Sequence, residues 1–282
     1  MSHQNLWGAL LLTTCLALGL FWWDQNMALV NIGALALVVG GTALAAVLSF
    51  PMSRLRQALG VAKNAYTRPS EDVGDVICSL LDLSLKSRFS GIAELSREED
   101  RMTESYLRSG LGLLADGYGE KEIENILGNE SRFFQARRSA VARVFRQMGR
   151  VAPSFGVAGS VAGLIGMLAG IGDEKSMLAA IPLALASTLY GILLQQLVFI
   201  PAAEVIENRT RDQLLVMAVI VEGLLAIKSE ENPRKVERRL LSFISPAQRE
   251  GTARRLAAIR QAYLDMAARR RLEMALEEDQ AA

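Results

Sequence analysis

The sequence has very little histidine and cysteine, which limits the chemistry that the chain can perform. A single histidine stands at position 3 of the 282 residues, which nearly excludes a histidine-based catalytic or metal site. Cys15 and Cys78 lie in segments of different character, so a disulfide framework is not expected. No Walker A or HExxH pattern occurs, and the GxG at Gly110 to Gly112 lacks a preceding strand, which makes it a helix-packing or turn feature. We therefore expect neither an enzyme nor a bound cofactor.

Charge is absent from four apolar blocks, each of which is long enough, at roughly 20 residues per crossing, to span a bilayer. None of the blocks contains Asp, Glu, Lys, Arg or His; they comprise residues 6–23, 27–50, 151–172 and 177–203. The opening residues MSHQN carry no Lys or Arg, which favours a retained first span over a cleaved signal. The predicted fold class is all-α: a polytopic membrane protein with four transmembrane helices and a helical cytoplasmic domain.

The distribution of basic residues predicts the topology. Sixteen Lys/Arg fall in residues 52–150 and fourteen in 204–282, which leaves only Lys175 on the opposite face. Because Lys and Arg near helix ends resist translocation, we expect the large segments and both termini to be cytoplasmic. The predicted organisation is a hairpin over 1–50, a loop over 51–150, a second hairpin over 151–203, a helical segment over 204–245 and a charged tail over 246–282. The formal net charge of +1 gives no reason to expect a nucleic-acid partner.

The cytoplasmic segments alternate apolar and polar residues at helical spacing. We predict one helix that starts after a Ser70 cap, a second over 98–115, and a third from Glu120 into the third span. The apolar stretch over 214–227 is too short to cross a membrane and is expected to pack against the loop helices or a neighbouring subunit. Residues 254–278 have the pattern of an amphipathic or solvated helix, for which an exposed tail and a membrane or partner contact both stay open.

Glycines recur at three- and four-residue steps along the third span. They form a smooth stripe that consists of Gly156, Gly159, Gly163, Gly166 and Gly170. Small residues let a second backbone approach closely in lipid, where no hydrophobic force drives helices together. The stripe by itself fits an ordinary packing seam as well as it fits a functional contact.

Hydroxyl groups and prolines accompany the glycines. Ser160 lies beside the stripe, and Ser187 and Thr188 lie at mid-membrane depth in the fourth span, where each hydroxyl can donate and accept a hydrogen bond. Pro153 and Pro201 lie near the cytoplasmic ends of the two spans, where each removes a helix hydrogen bond and can set a kink. Because the spans hold no ionisable residue, the chain alone cannot carry a proton by side-chain titration. Conduction would require an acid from another polypeptide.

Taken in order, several segments resemble the A subunits of bacterial flagellar stators, the MotA/PomA group of the MotA/TolQ/ExbB superfamily, from about Asn31 to Ile244. The segments are VGGT at 39–42, VAPSFG at 151–156, GSVAGLIGML at 159–168, LALASTLYG at 183–191, LVFIP at 197–201, EGLLAI at 222–227 and NPR at 232–234. The resemblance implies five A subunits around two single-span B subunits whose aspartate binds H⁺ or Na⁺, with membrane lipid outside and no cofactor. It also implies that the loop contacts the rotor ring through its switch protein FliG.

The resemblance assigns roles to particular residues. Those near the ion path and the B-subunit interface are Ser160, Ser187 and Thr188; Gly156, Gly159, Gly163 and Gly166 would pack against the B subunit; Pro153 and Pro201 would couple ion passage to movement; and Arg88, Glu94, Glu98 and Glu99 would contact the rotor. The family's loop usually reads Arg, two residues, Gly, three residues, Leu-Glu. This chain has Ser96 in place of that acid, which leaves a non-flagellar load open.

Three other functions compete with a flagellar stator. A motor of the TolQ/ExbB type that drives another load typically has three spans, so the first hairpin argues against it. A passive membrane scaffold would use the glycines for packing alone. An intramembrane enzyme has the least support, because the spans offer no acid, base or metal ligand.

Overall fold

The structure is a computed structural model that describes residues 14, 31–67, 72–91, 105–171, 174–229, 232–246 and 249–264. Within these ranges the regular structure is helical and no strand occurs. The helices are α1 (Ile32–Ser49), α2 (Met52–Thr67), α3 (Val73–Ser90), α4 (Ser105–Ala115), α5 (Glu120–Ala169), α6 (Glu174–Leu193), a π-helix (Leu194–Phe199), α7 (Ile200–Lys228), α8 (Pro233–Leu241) and α9 (249–264). The predicted all-α class is confirmed.

Three regions of the described chain are long and apolar enough to cross a membrane. They lie in Ile32–Ser49, Glu120–Ala169 and Ala180–Lys228, and they coincide with the predicted second, third and fourth spans. Apart from residue 14, the predicted first span, residues 6–23, lies outside the described residues. The predicted passage of one helix from Glu120 into the third span is confirmed, because α5 is continuous from Glu120 to Ala169.

The helices form two compact units. Unit 1 comprises the described residues of 1–69 and 136–210, and unit 2 comprises those of 70–135 and 211–282. Helices α5 and α7 contribute residues to both units.

Helix α1 is fixed at its start by Asn31 and along its length by small residues. The Asn31 side chain accepts from the Ala34 amide at 2.9 Å, and the Asn31 amide donates to the Tyr190 hydroxyl of α6 at 3.1 Å. Gly41 makes room for the Phe155 ring of α5, since a Cβ at position 41 would lie 2.3 Å from that ring. The helix ends at Ser49, before Pro51, and α2 begins at Met52.

A small-residue cluster joins α2 to the middle of α5 and the start of α7 within unit 1. The buried alanines of α2, Ala58, Ala62 and Ala65, pack against Val141 to Phe145 and against Ala202 to Ile206. Arg146 and Glu207 add an ion pair of 2.6 Å between α5 and α7. The cluster holds α2 next to the residues that precede the third span and follow the fourth.

Unit 2 has a core of large apolar side chains. Leu80 and Leu83 of α3, Leu111 of α4, Leu127 of α5 and Leu224 of α7 are fully buried in it. The apolar stretch 214–227 therefore packs against the loop helices, as predicted. Gly110 serves this packing too, because a Cβ there would lie 2.1 Å from the Leu224 side chain.

Two expectations about the cytoplasmic helices are corrected. The cap of α3 is Asp72, whose carboxylate accepts from the Gly74 amide at 3.2 Å, so the helix starts after Asp72 and not after Ser70. Of the predicted helix 254–278, the described residues 254–264 form an amphipathic helix and not an exposed tail, because Leu256 is fully buried in the core of unit 2 and Tyr263 donates to Asp82 at 2.9 Å. Arg255 also pairs with Asp75 at 2.6 Å.

Candidate ion-path site

The third and fourth spans cross at a contact made of glycine and backbone. A Cβ at Gly156 would lie 2.8 Å from the Ser187 carbonyl oxygen, and a Cβ at Gly191 would lie 2.8 Å from the Ala152 carbonyl oxygen. A Cβ at Gly163 would lie 2.8 Å from the Ala184 amide nitrogen. Real Cβ atoms do not approach backbone this closely, so only glycine permits this distance between α5 and α6.

The middle of the crossing is closed by Ser187. Its side chain is fully buried, and its Cβ would lie 2.6 Å from a Cβ at Gly159. The Ser187 hydroxyl donates to the Ala184 carbonyl at 3.1 Å, within its own helix. Ser187 therefore lies inside the contact between α5 and α6 and not on a surface open to a partner.

The glycines of the stripe take part in a contact within the chain. Gly156, Gly159 and Gly163 face α6 of the same chain, because their missing side chains are the room that Ala184, Ser187 and Thr188 occupy. Their packing against a B subunit, which the resemblance implies, stays a prediction. Gly166 differs from these three, since it is exposed and a Cβ there would meet only Ala180, at an ordinary 3.8 Å.

Ser160 and Thr188 form a hydroxyl pair between the two helices. The Ser160 Oγ lies 2.5 Å from the Thr188 Oγ1, and it also donates to the Ala184 carbonyl at 2.5 Å. Each hydroxyl has one proton, so Thr188 donates to Ser160 whenever Ser160 donates to Ala184. Both residues are only partly buried, which separates them from Ser187.

The Ser160–Thr188 pair can bind a cation or a hydrated proton but supplies no charge of its own. Hydroxyl oxygens have lone pairs for a cation or a hydrated proton, but they do not titrate at physiological pH. The described residues contain no group of three or more His, Cys, Asp and Glu placed to hold a metal ion. The site is therefore an electrically neutral set of donors and acceptors that requires a charged group from elsewhere for transport.

Both predicted prolines lie inside long helical runs. Pro153 is within α5. Pro201 is the second residue of α7, and α7 follows the π-helix Leu194–Phe199 without a break. The Ile200 amide donates to the Gln195 carbonyl five residues earlier, which is the π pattern. Since Pro201 has no N–H to donate, the wider turn before it accommodates the proline without ending the helix. Sequence reasoning missed this π-helix and also Pro182 within α6.

The residues predicted to contact the rotor are only partly placed. Arg88 is exposed in the last turn of α3, which ends at Ser90 and is followed by Gly91 with a φ of 84°. Glu94, Glu98 and Glu99 lie outside the described residues.

The comparisons with known proteins agree with this architecture. The family model described as the MotA/TolQ/ExbB proton channel family matches residues 97–218. The uncharacterized protein YtxD of Bacillus subtilis is 34% identical over 209 residues, which cover 74% of this chain and 77% of YtxD. The chain belongs to the MotA/TolQ/ExbB family. Motility protein A of Borreliella burgdorferi is 29% identical over 247 residues, which cover 86% of this chain and 91% of that protein.

A solved structure gives the same result for the fold of this MotA/TolQ/ExbB family member. The flagellar MotAB stator complex from Bacillus subtilis contains a chain that superposes with a TM-score of 0.81 at 25% identity, covering 88% of this chain and 98% of that chain. The resemblance stated from the sequence motifs is therefore confirmed. Membership of a proton channel family makes the chain a subunit of a transport protein and not an enzyme.

Proposed function

We propose that this chain is the A subunit of a flagellar stator, which forms an ion channel in the bacterial inner membrane together with a B subunit. Ion flow through the channel generates torque on the rotor. The family membership and the similarity to Motility protein A and to a MotAB stator complex support this function. The observation that carries it is the neutral Ser160–Thr188 pair between spans that contain no ionisable residue.

The neutral spans determine how the partner must contribute. Burying a charged group at mid-membrane costs roughly 2.5 to 3.5 kcal/mol or more, so an acid placed there is expected to be functional. In the proposed complex the B subunit supplies an aspartate on a single span, and that aspartate binds H⁺ or Na⁺. Ser160 and Thr188 would hydrogen-bond to the aspartate or to the ion's water. The proposed stoichiometry is five A subunits to two B subunits, surrounded by lipid.

Coupling to the rotor is assigned to two parts of the chain. Pro153 and Pro201 lie where the third and fourth spans continue into cytoplasmic helices, so a change in bend there would reach the cytoplasmic residues. Arg88, with Glu94, Glu98 and Glu99, would contact the switch protein FliG. A different load for the same motor stays the second candidate, and Ser96 in place of the family's usual acid favours it.

The test replaces Thr188 by valine in the complex with its B subunit. Valine keeps the shape of threonine and removes the hydroxyl that contacts Ser160. We expect ion flux into sealed vesicles to fall about tenfold or more, because a hydrogen bond to a charged group contributes about 1.5–3 kcal/mol. Flux would be measured with a dye for H⁺ and a dye for Na⁺, at matched amounts of complex.

Thr42→Val is the matched control. Thr42 is also a buried membrane threonine, but its hydroxyl donates to the Val38 carbonyl of its own helix at 2.6 Å. We expect its flux to equal that of the unchanged complex. Ion flux through the purified A chain without any B subunit would contradict the proposed function, and equal flux in Thr188→Val would remove Thr188 from the ion path.

A further inference from the structure

Helix α2 presents an exposed strip that combines two apolar and two basic side chains. Met52 and Leu59 are 50% and 66% exposed, and Arg56 and Lys63 are exposed beside them. At 100° per residue these four positions fall within about 60° of the helix circumference. The buried alanines of α2 lie on another face, so the strip is not used for the contact with α5 and α7.

The strip lies close to the membrane. Met52 begins α2 three residues after α1 ends at Ser49, and α1 is one of the helices long and apolar enough to cross a bilayer. The buried face of α2 contacts Val141 to Phe145, which precede the apolar part of α5 at Val151 by ten residues or fewer. At 1.5 Å per residue this places α2 within about 15 Å of the span. Lipid headgroups and extended Arg or Lys side chains bridge that distance.

The charges on this surface are of one sign. Residues 52–67 contain Arg54, Arg56 and Lys63 and no acid. Among the described residues, neither Arg56 nor Lys63 has an ion pair. Exposed apolar side chains beside cations are typical of helices that lie in a membrane interface, where the former enter the acyl boundary and the latter bind anionic headgroups.

A second copy of the chain fits this strip poorly. The cytoplasmic part of unit 1, residues 51–67, 136–150 and 204–210, holds nine Lys/Arg and two carboxylates. Of the two carboxylates, Glu207 is already paired with Arg146. The corresponding surface of a neighbouring copy would repel the strip.

We propose that the strip formed by Met52, Arg56, Leu59 and Lys63 binds the headgroups of anionic phospholipids at the cytoplasmic surface. The proposal rests on the proposed function only in that it takes the charged side of the membrane to be the cytoplasmic one. Arg56 and Lys63 contact the phosphate groups, and Met52 and Leu59 enter the region below them. The contact fixes α2, and through its alanine face the adjoining segments 141–145 of α5 and 202–206 of α7, at a set depth relative to the bilayer.

The experiment measures lipid retention by native mass spectrometry on the purified complex with its B subunit. The detergent-solubilised complex is titrated with phosphatidylglycerol or with phosphatidylcholine, and bound lipids are counted. We expect the unchanged complex to retain phosphatidylglycerol in preference to phosphatidylcholine. The double variant R56Q/K63Q should retain phosphatidylglycerol about 25-fold less, since each of the two basic residues near an anionic surface changes affinity about fivefold. Retention of phosphatidylcholine should not change.

Two controls keep this test specific. R234Q/K235Q also removes one Arg and one Lys, from exposed positions of α8 in unit 2, and should leave phosphatidylglycerol retention unchanged. R56K/K63R preserves the charges and should retain the lipid, which separates a loss of charge from a loss of folding. Equal phosphatidylglycerol retention by R56Q/K63Q and the unchanged complex would overturn the proposal. So would a strip variant whose main defect is loss of contact between A subunits, because the strip would then be a protein interface.

The lipid proposal and the proposed function fail separately. If no B subunit assembles, the proposed function fails, and lipid retention can still be measured on the A chain alone. If the complex conducts ions but has no preference for phosphatidylglycerol, the lipid proposal alone fails.

Discussion

The two units of the molecule are built from opposite kinds of side chain. Among the described residues, ten of the eleven largest fully buried side chains lie in unit 2, and only Ile206 lies in unit 1. In unit 1 the third and fourth spans meet through glycine, alanine and serine. The reason is the solvent: water makes burial of large apolar side chains favourable, whereas in lipid the close approach of two backbones provides the attraction.

The units also differ in charge, although the whole chain is nearly neutral. Unit 1 has eleven Lys/Arg and five Asp/Glu, and unit 2 has twenty and twenty-five, so the formal charges are about +6 and −5. The basic excess of unit 1 lies in the segments that follow or precede the apolar helices long enough to cross a membrane. The net charge of +1 for the whole chain therefore describes the charge of neither unit. The electrostatic interactions of each unit must be considered separately.

The largest expected effect comes from adding a side chain to the glycine contact of unit 1. In Gly163→Leu the new Cβ would lie 2.8 Å from the Ala184 amide nitrogen, so the two backbones must separate. Adding even one or two methylenes to a packed site costs about 1–3 kcal/mol, and a leucine against backbone exceeds that. We expect little folded protein in membranes, measured as the detergent-stable, monodisperse fraction.

Gly166→Leu is the matched control from the same helix. Gly166 has nothing closer than 3.8 Å to a new Cβ, so this variant should fold. Its exposed position predicts a specific loss of B-subunit capture, which a pull-down would show. If both variants fold equally well, the claim that glycines hold unit 1 together is wrong.

A smaller effect is expected from truncating a core leucine of unit 2. Leu80 is fully buried and lies where Gly223 of α7 approaches α3. Leu80→Ala should lower the free energy of unfolding by about 2–5 kcal/mol, which is typical when a buried leucine leaves a cavity. Urea unfolding monitored by far-UV circular dichroism would measure this change in the free energy of unfolding. Leu264→Ala removes a side chain that is 55% exposed and should change stability by less than about 0.5 kcal/mol.

The sequence predicts the course of the chain well where one residue type dominates. The uncharged blocks predict the second, third and fourth spans, and the unbroken helical pattern after Glu120 predicts α5. The apolar stretch 214–227 is too short to cross a membrane and too apolar to be exposed to water. Its length and composition therefore predict that it packs in a core, as it does in unit 2. These features depend on local composition, which a sequence displays directly.

The spacing of small residues along a helix does not show which helix they contact. The spacing of Gly156, Gly159 and Gly163 defines one face of a helix, but a face can meet the same chain or another. The matching small residues Ala184, Ser187 and Gly191, at steps of three and four along the fourth span, were the available signal. In α9 an apolar repeat at Leu256, Ile259 and Tyr263 packs on the core of unit 2. The many charged residues around this repeat make it hard to recognise in the sequence.

The smallest effect should come from a single hydroxyl in unit 2. Tyr106 is 1% exposed, and its hydroxyl donates to the Leu127 carbonyl at 2.8 Å. Tyr106→Phe should lower the free energy of unfolding by about 1 kcal/mol near neutral pH, the usual contribution of one hydrogen bond. Tyr118→Phe, which changes an exposed ring, should have no measurable effect.

The pH dependence of the same variant tests how dry the core of unit 2 is. Burial raises the pKa of Tyr106 from 10.0 to about 12, so the folded state holds the phenol proton more tightly than the unfolded state does. This contribution to stability is complete below pH 10 and is lost as the pH rises from 10 to about 12. Tyr106→Phe lacks the titrating group and should lose less stability across that range, as measured by urea unfolding on both sides of pH 10. If stability falls equally with pH in the unchanged protein and in Tyr106→Phe, water reaches Tyr106 in the folded state. The core of unit 2 would then not exclude water, and the contrast with the glycine-packed unit 1 would be weaker.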